Sequence, residues 1–262
     1  MLNKPFRKIT MLRIFLSAMS ITMLLQSCMD SPVSPIPTDS RQLVMVLTDS
    51  LHASTGTLQR YVRTEHEWQP AGSSIPVVLG RNGLAWGRGL HSLNTADNPI
   101  KAEGDGCSPA GVFTFGPTFG YTPPDSLPEL RYPYLHNTKL LECIDDVNSR
   151  YYNQKVYRNT VDSVDWTSSE RMGHYGDWYA WGVIIEHNAH PVEAGAGSCI
   201  FLHNMVRPDE STSGCTELTP DAMEDLIFWL DSTAHPVMVQ LTREWHSAYK
   251  SSWQLPEVLE GP

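Results

Sequence analysis

Short apolar segments, four to eight residues long and separated by turns, are the feature that most constrains the fold of this chain. Segments of this length, bounded by Gly, Pro and Asn, are typical of buried strands. The chain also holds 18 Gly and 19 Pro, together with 8 Trp and 10 Tyr. This pattern predicts a strand-rich, turn-rich fold and excludes a helical bundle. The predicted strands are Gln42–Thr48, Thr57–Arg63, Ile75–Leu79, Val112–Phe115, Tyr179–Glu186, Cys199–His203 and Val237–Leu241.

The connections between these segments are predicted from local turn chemistry. Thr55-Gly56 is expected to turn the chain before the second strand, and Asn82-Gly83 supplies residues that tolerate positive φ. Gly104-Asp105-Gly106 is a third turn. The Pro-rich residues 122–138 predict a long surface segment.

One amphipathic helix is predicted near the carboxyl end. Thr219 suits the N-cap, Pro220 suits the first helical position, and Asp221 favours the positive end of the helix dipole. Apolar residues then follow at helical spacing and form one face, namely Met223, Leu226, Ile227 and Leu230.

The amino terminus has the pattern of a bacterial lipoprotein signal. A basic stretch that contains Lys4 and Arg13 precedes the apolar run Ile14–Leu25, which is too short for a comfortable membrane span. The run ends in Leu25-Gln26-Ser27-Cys28, which resembles a lipobox, where the cysteine becomes acylated. We therefore expect a signal peptide over 1–27, a Pro/Ser-rich tether over 28–40 and one folded domain over 41–262. The expected location is the cell envelope, anchored by lipid at Cys28 and facing the periplasm.

The charge balance argues against nucleic acid as a partner. The signal carries four of the 19 Lys and Arg and no Asp or Glu, so 15 basic residues remain against 29 acidic ones, a net charge of −14. Such a chain has no basic surface with which to neutralise phosphates.

A histidine and a cysteine in the second half have the arrangement of a base and a thiol nucleophile. His203 ends an apolar segment, and Cys215 follows twelve positions later, after a polar loop. A thiol reacts as its thiolate and therefore needs a nearby base. Gly214 allows close approach of the backbone, so that N–H groups can face a developing oxyanion.

Several motifs, taken in order, resemble the L,D-transpeptidases of bacterial cell walls, the YkuD-type catalytic domain. The resemblance covers most of residues 41–245. It is carried by Val78–Gly89, Gly104–Phe113, Asp165–Met172, Trp181–Asn188 and the His203–Cys215 segment.

The resemblance implies both a fold and a set of site residues. The fold would be mainly β, a curved sheet or sandwich with the active cysteine in a loop before a short helix. Cys215 would be the nucleophile, His203 the general base and acid, and Gly214 part of the oxyanion site. Two departures from the family motif concern the segment between them. Ser213 stands where the commonest motif has a second histidine, and the loop from His203 to Cys215 is short.

The activity implied by the resemblance is acyl transfer on peptidoglycan stem peptides, without metal or cofactor. Cys215 would attack a carbonyl that precedes a D-amino acid, and an amine acceptor would resolve the thioester. Two alternatives stay open. Water as acceptor would give an L,D-carboxypeptidase or amidase, and the absent second histidine leaves room for a cell-wall-binding lipoprotein without turnover.

Two arginines are candidates for binding a substrate carboxylate, because guanidinium binds it in a bidentate manner. Arg207 lies within the loop between His203 and Cys215 and is the stronger candidate, and Arg171 is the second.

The remaining cysteines and histidines suggest structural roles. Disulfides are permitted outside the cytoplasm. With Cys215 free, we expect a Cys107–Cys143 pair and a buried thiol at Cys199, although spacing alone does not fix connectivity. His187 and His190 could join His203 and Cys215 in a zinc site, but no second short ligand pair completes one, so a structural role for His187 is favoured.

Overall fold

The structure, a computed structural model, describes residues 1–2, 34–65, 67–93 and 98–258. The expected signal peptide, Cys28 and the first residues of the tether lie outside these ranges, apart from residues 1–2. The chain divides into two units after Ser31, and the second unit, Pro32–Pro262, contains all of the elements below. None of the helices within the described ranges is long and apolar enough to cross a bilayer.

Fourteen strands and two α-helices make up the described part of the second unit. The strands are β1 Gln42–Thr48, β2 Thr55–Thr64, β3 Glu67–Pro70, β4 Ile75–Val78, β5 Leu84–Trp86, β6 Ser108–Gly120, β7 Tyr134–His136, β8 Leu141–Cys143, β9 Lys155–Tyr157, β10 Glu170–Arg171, β11 Trp181–Ile185, β12 Phe201–Asn204, β13 Thr216–Leu218 and β14 Val237–Thr242. The helices are α1 Pro220–Trp229 and α2 Arg243–Trp253. Five short 3-10 turns connect them at Pro124–Ser126, Arg158–Thr160, Met172–His174, Gly176–Tyr179 and Ser232–Ala234.

The main sheet closes on itself. Its strands follow the order β1-β14-β6-β11-β12-β13-β4-β2, and β2 also pairs with β1, so the path returns to its start. β3 extends the sheet at β2, and β5 and β7 both pair with β6. A separate three-stranded sheet has the order β10-β8-β9. The expected mainly β fold with a curved sheet is thus confirmed.

The closed sheet buries the apolar strands that the sequence predicts. Every residue of β1 and β14 is buried, which explains why both read as continuous apolar runs rather than as alternating patterns. α1 packs its apolar face, Met223, Leu226 and Ile227, into the same core. Each such side chain contributes about 1.5–3 kcal/mol on burial. The predicted helix is confirmed, although the Thr219 side chain makes no capping hydrogen bond.

Three local features differ from the expectations. Thr55-Gly56 is the beginning of β2 rather than a turn, and a Cβ on Gly56 would lie 2.6 Å from the Leu47 carbonyl oxygen, so glycine here permits close pairing with β1. The surface segment 122–138 contains β7, which pairs with β6 in parallel. Helix α2 was not predicted. Thr242 caps it by accepting a hydrogen bond from the Trp245 backbone N–H.

Residues 34–40, the described part of the expected tether, contact the domain. The side chain of Ile36 is 3% exposed and belongs to the main core. The Ser34 hydroxyl donates a hydrogen bond of 2.8 Å to the Trp253 carbonyl at the end of α2. Among the described residues, contacts with the domain are therefore present from Ser34 onward, on the amino-terminal side of the expected boundary at Arg41.

Candidate active site

The cysteine lies where two neighbouring parallel strands begin. β12 and β13 pair in parallel, with Leu202 opposite Thr216, so Cys215 lies beside Phe201. The Cys215 Sγ lies 3.4 Å from the Phe201 backbone nitrogen, which donates to it, and 3.5 Å from the Cys199 carbonyl oxygen, which can accept its proton. The residue is 8% exposed, and its thiol is free.

His203 lies two residues after Phe201 in β12, and its side chain faces the same side of the sheet because side chains alternate along a strand. Strand rise and spacing place the Cα atoms of His203 and Cys215 roughly 8 Å apart. The Tyr179 ring packs against both His203 and Phe201, with ring centroids 5.1 and 5.7 Å apart. The structure therefore brings His203 and Cys215 together in the lining of one cleft.

A backbone carbonyl sets the tautomer of the imidazole. The Nδ1 of His203 lies 3.0 Å from the Asn204 carbonyl oxygen. Because a carbonyl only accepts, Nδ1 carries the proton, and Nε2 keeps the lone pair that a base requires. The sequence offers no signal for this partner, since any residue at position 204 supplies a carbonyl.

Burial keeps the thiol and the imidazole uncharged in the resting site. Desolvation lowers the pKa of His203 to about 4. It also raises the pKa of the Cys215 thiol well above its usual range, and the negative charge of Glu170 adds to the effect. The thiol therefore does not ionise on its own near neutral pH.

Two carboxylic acids line the same cleft and ionise near neutral pH. Burial raises the pKa of both Glu170 and Glu217 to about 7. Glu170 accepts a short hydrogen bond from the Tyr179 hydroxyl. Neither residue is expected from the sequence, because an isolated Glu in a strand carries no signal of burial.

The loop before Cys215 orients its backbone. Gly214 has φ +155°, and a Cβ there would lie 3.0 Å from the Cys107 carbonyl oxygen, so glycine fits this position best. Its N–H donates a hydrogen bond of 3.0 Å to the Thr212 hydroxyl. Among the described residues no hydrogen-bond acceptor faces the Cys215 N–H, whereas the Gly214 N–H is already paired.

The cleft has a volume of about 400 Å³. Of the two candidate arginines, it contains Arg207 but not Arg171. The Arg207 guanidinium pairs with Glu210 at 2.8 Å and lies 5.2 Å from the centre of the Trp178 ring. The side chains that line it are Glu170, Tyr175, Trp178, Tyr179, His203, Arg207, Glu210, Ser211, Thr212, Ser213, Cys215 and Glu217.

A model of the L,D-transpeptidase catalytic domain, YkuD, matches residues 58–239. The match covers more than half of the chain and includes both His203 and Cys215. The chain belongs to this family. Members of the family are cysteine-dependent enzymes that act on peptidoglycan stem peptides. No curated protein and no solved structure is significantly similar to the chain.

An arginine side chain lies next to Ser213. Ser213 stands where the commonest L,D-transpeptidase motif has its second histidine. The Arg81 guanidinium donates a hydrogen bond of 3.0 Å to the Ser213 hydroxyl. Arg81 comes from the turn after β4, which pairs with β13. A cationic group from a distant segment thus lies beside the cysteine loop of this family member.

The disulfide differs from the predicted one. Cys143 pairs with Cys199, whereas Cys107 is a free, partly exposed thiol, so the predicted Cys107–Cys143 pair is wrong. Cys143 ends β8 of the small sheet, and Cys199 lies in the segment before β12. Cys107 instead lies at the Asp105 turn, where its backbone N–H donates to the Asp105 carboxylate.

The disulfide joins the small sheet to the active site. The Cys199 carbonyl oxygen is the acceptor that faces the Cys215 Sγ, and Cys199 has φ +53°. The bond therefore fixes the segment against which the Cys215 thiol packs.

Among the described residues, no three His, Cys, Asp or Glu side chains gather in a way that could hold a metal ion. His187 contacts backbone groups instead. Its Nδ1 accepts from the Arg88 N–H at 3.2 Å, and its Nε2 lies 2.9 Å from the Ala196 carbonyl oxygen. Burial lowers the pKa of His187 to about 4. These contacts give His187 a structural position.

Replacing Cys143 and Cys199 together by Ala is expected to lower the free energy of unfolding by about 4 kcal/mol. The estimate is the chain entropy that a disulfide removes from an unfolded loop of this length, given a sequence separation of 56 residues. Urea unfolding of the Pro32–Pro262 unit measures it. Cys107→Ser, which removes a thiol outside the bond, is the matched control and should leave the midpoint unchanged. A double variant as stable as the parent would contradict the expected contribution.

Proposed function

We propose that the protein is a cysteine acyltransferase of peptidoglycan remodelling, an L,D-transpeptidase with Cys215 as nucleophile and His203 as base. The observation that carries the proposal is the joint placement of the two side chains in one cleft. The thiol and the imidazole face the same side of adjacent parallel strands, and the Asn204 carbonyl leaves the lone pair on Nε2. Family membership supplies the substrate class, peptidoglycan stem peptides.

Formation of the thioester takes two steps. In the first, the Cys215 Sγ bonds to the carbonyl carbon that precedes a D-amino acid, while its proton moves to Nε2 of His203. The carbonyl oxygen becomes an oxyanion, which the Cys215 N–H can bind. Loss of one such donor typically costs about 3 kcal/mol of barrier. In the second step the carbon–nitrogen bond breaks, and the leaving amine takes the proton from Nε2.

Resolution of the thioester reverses the proton path. An acceptor amine attacks the thioester carbon, passes a proton to Nε2, and releases the Cys215 sulfur, which regains its proton. Water in place of the amine gives the carboxypeptidase outcome on the same residues. The nature of the product thus separates the two activities. Arg207, the candidate arginine that lines the cleft, is the proposed contact for a substrate carboxylate.

The proposed setting is the cell envelope, with the chain acylated at Cys28. The first described contact with the domain is that of Ser34, only six residues later. Six residues span at most about 20 Å when extended. The acylated chain would therefore hold its domain close to the membrane surface.

Cys215→Ala is expected to abolish turnover of a purified tetrapeptide stem, by at least about 10³-fold, because the covalent step is lost. Mass spectrometry of the products measures it, and a cross-linked dimer or a shortened monomer identifies the acceptor. Cys107→Ser, the variant of the other free thiol, should retain activity. A fully active Cys215→Ala protein would contradict the proposal. A folded parent protein that modifies no stem peptide would favour the non-catalytic alternative.

Cys28→Ser is expected to move the full chain from the membrane fraction to the soluble fraction of the envelope, since stable anchoring needs acyl chains. Fractionation and intact mass of the expressed chain report this change. Ser27→Ala, which changes the neighbouring residue but keeps the thiol, is the control. Retention of Cys28→Ser in the membrane fraction would rule out anchoring at this cysteine.

A further inference from the structure

A buried carboxylate lies opposite the imidazole on the neighbouring strand. Glu217 follows Cys215 by two positions, so both side chains face the same side of the β13 strand. In the parallel register His203 pairs with Glu217. The Glu217 Oε1 lies 3.8 Å from the Nδ1 of His203, and the two side chains are 7% and 6% exposed.

The surroundings of Glu217 offer it no other cation. Within the described residues its ion-pair contact is with His203 alone, and the Arg207 guanidinium pairs with Glu210. Burial of a carboxylate is costly unless an opposite charge compensates it. The imidazole is neutral at rest, so the compensating charge exists only while His203 carries a second proton.

We propose that Glu217 is a positioning residue that stabilises the imidazolium of His203 during catalysis. The proposal rests on the proposed function for the role of His203 as base. The thiol proton of Cys215 moves to Nε2, while the proton on Nδ1 stays in place between the Asn204 carbonyl and the Glu217 carboxylate. Glu217 takes up no proton in this step and lends only its negative charge.

The charge of Glu217 has two opposing effects on the thiol, so the direction in which a reaction rate changes when the charge is removed tests the proposal. It repels an isolated thiolate and so adds, after burial and Glu170, to the raised pKa of Cys215. It attracts the imidazolium and so favours the thiolate–imidazolium pair. Removing the charge should therefore slow a reaction that uses the pair and speed a reaction that uses the thiolate alone.

The effect depends on pH through Glu217 itself. Burial, with a smaller contribution from Glu210, raises the pKa of Glu217 to about 7. The Glu217 carboxylate forms as the pH rises through that value. Below it the group is protonated and no longer stabilises the His203 imidazolium. The other groups that line the cleft and carry charge or titrate are Glu170, Tyr175, Tyr179, His203, Arg207, Glu210 and Cys215.

The test is the rate of iodoacetamide alkylation of Cys215 between about pH 5.5 and pH 9.5, in the full chain with Cys107→Ser. Peptide mass spectrometry reads the site of modification. Glu217→Gln is expected to slow alkylation at pH 8 roughly tenfold, equivalent to one pKa unit, and to remove the rise in rate near pH 7 that ionisation of Glu217 produces. Ionisation of Glu170 in the same pH range only repels the thiolate and therefore opposes that rise. Glu217→Asp, which keeps the charge, should retain part of the alkylation rate at pH 8 and part of the rise in rate near pH 7. Glu224→Gln on the exposed face of α1 is the control and should change neither.

The same alkylation measurement in a His203→Ala background completes a double-mutant cycle between His203 and Glu217. There Glu217→Gln should no longer slow alkylation and should speed it, since only repulsion of the thiolate remains. An unchanged or faster rate for Glu217→Gln in the presence of His203 overturns the proposal. If circular dichroism shows that Glu217→Gln does not fold, Glu217→Asp decides, and an alkylation rate that does not rise near pH 7 overturns the proposal. Alkylation needs no stem peptide, so it tests the role of Glu217 independently of whether the protein turns over stem peptides.

Discussion

The parallel pairing of β12 with β13 is the interaction on which the site depends. The chain leaves β12 after Asn204, forms an irregular loop and enters the neighbouring strand in the same direction. The register then determines which side chains meet, because His203 lies opposite Glu217 and Phe201 lies beside Cys215. A slip of one residue would turn these side chains to the other face of the sheet. Backbone hydrogen bonds between two strands therefore position the thiol, the imidazole and the buried carboxylate together.

Burial gives this arrangement its chemical character. The same low-polarity surroundings that position the side chains also disfavour their charged forms. The thiol of Cys215 and the imidazole of His203 are neutral at rest, and the carboxylic acids Glu170 and Glu217 are poised near neutral pH. In the proposed mechanism, proton transfer inside the cleft creates charge only as the reaction proceeds, and the Glu217 carboxylate and the Cys215 N–H stabilise that charge. A reactive thiol of this kind differs from one that is already ionised by a cationic neighbour.

The sequence predicts the local elements of this fold better than its long-range contacts. The apolar run Gln42–Thr48 and the helix that begins at Pro220 carry their signals within a few residues, and both are confirmed. The Cys143–Cys199 bond depends on how the small sheet packs against the segment before β12. No property of the separate segments encodes that packing, so the pairing predicted from the sequence was wrong. Helix α2 was missed although its signals are local. Thr242 provides a good cap, and Trp245, Tyr249 and Trp253 recur at i, i+4 and i+8 on one face that packs against the main core.

The same distinction applies within the site. Cys215 and His203 could be singled out as candidates because a Cys beside Gly and a His at a strand end are chemically unusual. Other parts of the site could not be found this way, because each becomes significant only through its neighbours in space. They are the Asn204 carbonyl, the Arg81–Ser213 contact and the carboxylic acids Glu170 and Glu217.

The central claim is that Cys215 rests as a neutral thiol and is activated by proton transfer to His203. The most direct test is the pKa of that thiol, taken from the main rise of its alkylation rate with pH in a Cys107→Ser chain. The account predicts an apparent pKa well above the value of about 8.5 of a free cysteine. A value well below it, with a thiolate already formed near neutral pH, would contradict the account and show that the ion pair exists before substrate binds.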